Sequence, residues 1–117
     1  MIAKEIDDLL AGPEADALVA PFLGWEYQAG IERWVEPGGK MAHVAPPPFS
    51  TAISAAWQLV DSIAKPWLHV DTNSFGTGAI ATVIENRKSP RLYQASADTL
   101  PLALVQAFLI YKNRARA

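Results

Sequence analysis

The sequence predicts an α+β domain: an antiparallel sheet of three or more strands, with helices at both ends of the chain. Three observations carry that prediction. Apolar residues recur at helical spacing near the amino terminus, between residues 50 and 64, and between residues 100 and 111. Residues 67–96 instead alternate, are rich in β-branched side chains and are interrupted by turn residues. The length, 117 residues of which 50% are apolar and 19% charged, suits one continuous core. Residues 1–117 therefore read as a single domain, with a surface hairpin inserted at about residues 25–44.

From the amino terminus, Ile2, Ile6 and Leu9 share one helical face in a segment ending at Gly12, and Pro13 then opens a second short helix. That helix places Leu18, Val19 and Phe22 on one side, carries Glu14 and Asp16 in its first turn, and stops at Gly24. The pattern changes at residue 25. Ile31, Trp34 and Val35 are strand formers, and Pro37, Gly38 and Gly39 supply a turn, which together give a loose hairpin. Three consecutive prolines, Pro46 to Pro48, keep the following stretch extended, because proline disfavours helical geometry in the residue before it.

Ser50 or Thr51 is placed to cap the next helix, whose expected inner face is Ile53, Ala56, Trp57, Val60 and Ile63, with Lys65 and Pro66 ending it. Residues 67–72 and 79–84 then form an antiparallel pair around a turn at 73–78, and residues 92–96 add a third strand. Asp98 or Thr99 caps the last helix, with Pro101 in its first turn and Lys112, Arg114 and Arg116 near its negative dipole end. Residues 102–111 contain only Gln106 as a clearly polar member. Such a helix needs cover on more than one side, from the sheet, another helix or a second copy of the chain.

Three blocks, in order, carry a family resemblance: Leu10 to Ala20 with Gly24 and Trp25 behind it, Pro47 to Trp57, and Ala97 to Ala103. Together they resemble the phage ABA sandwich domain, a family of small phage and prophage proteins. The resemblance implies a layered α-β-α sandwich and a phage or prophage source. It implies no reaction and no catalytic residues, and it leaves residues 27–44 as the unmatched insertion. Trp25 and Trp57, within the blocks, read as core aromatics that hold helices on the sheet.

Several constellations invite a chemical reading. Gly76, Gly78 and Ala81 satisfy G-x-G-x-x-A, but a strand follows where a dinucleotide fingerprint requires a helix, so the glycines read as turn residues with positive φ. His69 and Asp71 lie two apart on a strand and so on one face, where an imidazole and a carboxylate could share a proton. His43 is the only other histidine, and with no cysteine the chain offers no metal set, so neither metal nor cofactor is expected. Arg87, Lys88 and Arg91 form a basic turn suited to a phosphate contact. Tyr27, Trp34, Met41 and His43 concentrate aromatic and soft apolar surface in the hairpin, as binding hot spots do, although Trp34 could equally fold back over a sheet edge.

With 10 basic and 12 acidic side chains the formal charge is -2, and no global field attracts nucleic acid or anionic lipid. The helix–three strands–helix order from residue 50 onward matches a double-stranded RNA-binding domain, yet Asp98 stands where such domains place cations, and duplex RNA is not an expected partner. No stretch suits a signal peptide or a membrane span, which points to the cytoplasm of a bacterial host. The expected function is that of a phage or prophage accessory protein that binds a host or phage protein, or a small ligand, without catalysis. The alternatives are a sponge for a nucleotide signal of anti-phage defence and a small acid–base enzyme using His69 and Asp71. Self-association through the apolar last helix is a further expectation.

Overall fold

In the computed structural model, which describes residues 3–86 and 88–114, the last helix is the centre of the molecule. The elements run α1 (Ala3–Asp7), α2 (Pro13–Val19), a 3-10 turn (Ala20–Leu23), β1 (Glu26–Gln28), β2 (Arg33–Val35), β3 (Ala42–His43), α3 (Ile53–Ile63), β4 (Leu68–Phe75), β5 (Gly78–Glu85), β6 (Arg91–Ala97) and α4 (Leu100–Lys112). The expected α+β class is the one observed, with two antiparallel three-stranded sheets ordered β1-β2-β3 and β4-β5-β6. Ile2, Arg87 and Arg116, singled out in the sequence, lie outside the described residues.

Residues 102–109 of α4 are all buried, because β5 and β6 cover one side of the helix, α3 another, and α1 and α2 a third. The chain thus provides the cover that the apolar composition demands over residues 102–109. Gln106, its polar exception, is 2% exposed and donates from Nε2 to the carbonyl of Leu9 at 3.1 Å. That bond docks the loop after α1 and satisfies an otherwise costly buried amide.

Of the inner face expected for α3, Ala56 and Ile63 are buried and Val60 packs against the core, but Ile53 and Trp57 do not face inward. Ala55, Ala56, Leu59 and Ile63 are buried, while Ile53 and Trp57 are 48% and 44% exposed. The small alanines bring α3 against α4, and the tryptophan expected in the core turns to the surface. Ser50 and Thr51 do not cap this helix either, since Ala52 holds the N-cap position and no side chain bonds there. Ser50 is fully buried and serves another element. Its N–H and Oγ–H both donate to Asp16 Oδ1, at 2.8 and 2.7 Å, and its Oγ accepts the N–H of Gly12 at 2.9 Å. Asp16 therefore ties α2 to the proline-rich connector, where Phe49 is also completely buried. Thr99 occupies the N-cap position of α4 but makes no side-chain cap bond.

The strands of the larger sheet are longer than the sequence suggested, and their turn is correspondingly tighter. β4 continues through Phe75 and β5 starts at Gly78, leaving Gly76 and Thr77 as the turn. Neither glycine has positive φ, contrary to expectation. Gly78 is required by proximity instead, because a Cβ there would lie 2.7 Å from the carbonyl oxygen of Ala97 on β6. Gly24 does have the left-handed conformation, φ 92°, that ends the 3-10 turn.

The expected hairpin at 25–44 is a three-stranded meander. The segment at 29–32 turns the chain once, and residues 36–41, containing Gly38 and Gly39 at positive φ, turn it again into β3. Trp25 and Trp34 pack against the main core from this small sheet, which anchors it to the rest of the molecule.

Candidate functional site

Strand alternation divides the larger sheet into two unlike faces. One carries Leu68 and Val70 of β4, Ala79, Ala81 and Val83 of β5, and Tyr93, Ala95 and Ala97 of β6, all of which join the core under α3 and α4. The other follows from the register. His69, Ile84 and Leu92 form one row, then Asp71, Thr82 and Gln94, then Asn73, Ile80 and Ser96, with Phe75 opposite Gly78 at the turn. No described helix packs on this outward face. Leu92 is 63% exposed, Phe75 46%, and Trp67, just before β4, 55%.

The chemistry of this face is uneven in an informative way. Ile84, Leu92 and Phe75 lie toward its ends, Thr82, Gln94, Asn73 and Ser96 surround Ile80 in its middle, and among the described residues Asp71 is its only fixed charge. Its described residues include neither lysine nor arginine. His69 and Asp71 do share the face, as the sequence indicated, and both are exposed. His69 is already engaged, with its Nδ1 3.0 Å from Asn86 Nδ2. No cluster of three or more potential metal ligands exists among the described residues.

The residues favoured from the sequence lie elsewhere, in two groups. Tyr27, Trp34 and His43 stand directly across one another on β1, β2 and β3. The Tyr27 and Trp34 rings are 5.4 Å apart, and His43 stacks against Trp25 at the same separation, with its Nε2 3.3 Å from Glu36 Oε2. Trp34 is partly buried against the core, while Tyr27 and Met41 remain exposed. The small sheet thus spends much of its aromatic surface on attachment.

Of the basic turn, Arg87 is outside the described residues, and Lys88 and Arg91 are exposed. Arg91 borders an open hollow with Leu92, Tyr93, Ile110 and Arg114. Arg114 joins it from beyond α4, its guanidinium 4.1 Å above the Tyr111 ring and its Nε 3.6 Å from Glu85 Oε1. Glu85 is 3% exposed and accepts the Tyr93 hydroxyl at 2.6 Å. Burial, reinforced by that carboxylate, pushes the Tyr93 phenol above its ordinary pKa. A buried carboxylate beside the arginines makes the hollow a poorer phosphate site than the sequence suggested.

The outward face was missed because alternating polar and apolar residues signal only that one side is buried. The alternation does not say which side of the sheet the helices take, and here the apolar residues at positions 80, 84 and 92 fall on the uncovered side. Among the described residues, no helix is long and apolar enough to cross a membrane. The family model for the phage ABA sandwich domain matches residues 17–109. No curated protein and no solved structure matches the chain.

Proposed function

The chain belongs to the phage ABA sandwich domain family, matched over residues 17–109, and on that footing we propose that it is a phage or prophage accessory protein acting by binding another protein. The observation that carries this reading is the uncovered, nearly uncharged outward face of the β4-β5-β6 sheet. An exposed surface that mixes large apolar and neutral polar side chains with little charge matches the composition of protein interfaces, whose cores are depleted in charge. Nucleic acid requires cations, and the face has only Asp71 as a fixed charge. The working location is the cytoplasm of the bacterial host, where both host and phage proteins are available as partners.

A photo-crosslinking amino acid placed at Leu92 or Gln94, and separately at Tyr27 or Met41, tests the proposal during expression in a bacterial host. Adducts to one defined protein from the Leu92 and Gln94 positions are expected. Adducts confined to Tyr27 and Met41 would move the site to the small sheet, and adducts from neither would remove the binding reading. His69→Gln separates this reading from acid–base catalysis, because loss of a proton-transferring imidazole would abolish a reaction, whereas a face of this breadth keeps its partner with at most a weaker affinity.

A further inference from the structure

The larger sheet has an unprotected edge. Among the described residues the only strand beside β4 is β5, and their pairing runs from Leu68 to Phe75 without a bulge. Edge strands in monomers are usually interrupted by lysine, proline or a bulge, because their unpaired backbone groups recruit further strands. None of these interrupts β4.

The direction of its free backbone groups follows from two turns at its start. The N–H of Asn86, at the end of β5, donates to the carbonyl of Trp67 at 2.7 Å, so the backbone of Trp67 faces β5. Leu68 points the other way, and its N–H and C=O are taken up by Lys65. Alternation along an antiparallel strand then turns His69, Asp71, Asn73 and Phe75 toward β5 and leaves Val70, Thr72 and Ser74 with backbone groups on the free side. Residues 71–77 are exposed, so this edge projects beyond the helices.

We propose that the β4 edge pairs with β4 of a second copy, antiparallel about Thr72, to make one continuous sheet across two chains. A two-fold axis requires residues of the same face to oppose one another, which restricts the register. Centring on Val70 would use Leu68, already bound to Lys65. Centring on Asp71 would put like carboxylates at the closest approach. Centring on Asn73 would carry the pairing into the Gly76-Thr77 turn. Thr72 as centre pairs Thr72 with Thr72, Val70 with Ser74, Asp71 with Asn73 and His69 with Phe75, each a compatible cross-strand pair. The second copy is thus favoured by its own sequence, and the inference does not rest on the partner proposed for the outward face.

Sedimentation equilibrium on the full chain, from about 1 µM to 1 mM protein, is expected to show a monomer–dimer equilibrium. Asn73→Lys should tighten it several-fold by placing a cation against Asp71 of the other copy twice over, and Asn73→Asp should weaken it comparably. Thr72→Pro should abolish it, since the lost N–H faces the free edge and not β5, with circular dichroism checking that the fold persists. Leu92→Ser, on the far strand, should leave it unchanged. A monomer throughout, a dimer indifferent to both Asn73 substitutions, or one lost on Leu92→Ser but kept on Thr72→Pro would overturn the proposal. The last outcome would indicate stacked faces instead.

Discussion

At the scale of single residues, the polar groups inside the core are the ones that specify this fold. Ser50 donates twice to the buried carboxylate of Asp16 and accepts from Gly12, so it links α2 with a connector more than thirty positions away. Ser50→Ala removes the hydroxyl and keeps the backbone bond. It should cost about 1–3 kcal/mol, because a buried carboxylate and an amide each lose a partner, and urea denaturation checks the value. Tyr93 makes a different prediction. Its raised pKa, caused first by burial and then by the bond to Glu85, means that the native chain holds the phenolic proton longer than the unfolded chain. This contribution is complete below the ordinary tyrosine pKa of about 10 and is lost as pH rises through the native value. Stability should therefore fall above about pH 10, and Tyr93→Phe should flatten that fall in denaturation curves measured between neutral and strongly alkaline pH.

At the scale of elements, α4 shows what composition can reveal. A run with one polar member demands cover on more than one side, and the sheet, α3, α1 and α2 provide it over residues 102–109. Leu104 is 3% exposed, and Leu104→Asp should cost at least about 3 kcal/mol by opening a cavity and burying an unpaired carboxylate. An unchanged melting temperature would contradict that. The small β1-β2-β3 sheet is held by fewer contacts, mainly Trp25 and Trp34 on the core. Trp34→Ala should lower stability by about 1–3 kcal/mol, less than a fully buried tryptophan would cost. The measurement also bears on function, since a loss of that size identifies Trp34 as an anchor, and unchanged stability would restore it as a candidate contact residue.

At the scale of the whole molecule, the helix–three strands–helix order resembles that of RNA-binding domains, but the electrostatics do not follow. Asp98 and Thr99 lead into α4, and the outward sheet face has no cation. Purified protein should not retain duplex RNA, and tight binding that weakens steeply with added salt in a filter assay would refute this. Residue order alone establishes the class of fold, the positions of α3, α4 and the three long strands, the need to cover the apolar run at 102–111 and the family to which the chain belongs. Each of these is written in local periodicity, turn chemistry or composition. Packing in three dimensions sets that Trp57 faces solvent, that Ser50 bonds Asp16 instead of capping α3, that Gly78 is needed for space and not for φ, and that among the described residues nothing covers one sheet face or the β4 edge. Those outcomes depend on which surfaces meet across long sequence separations. Periodicity marks the faces of a helix or strand, and packing selects which of them is covered.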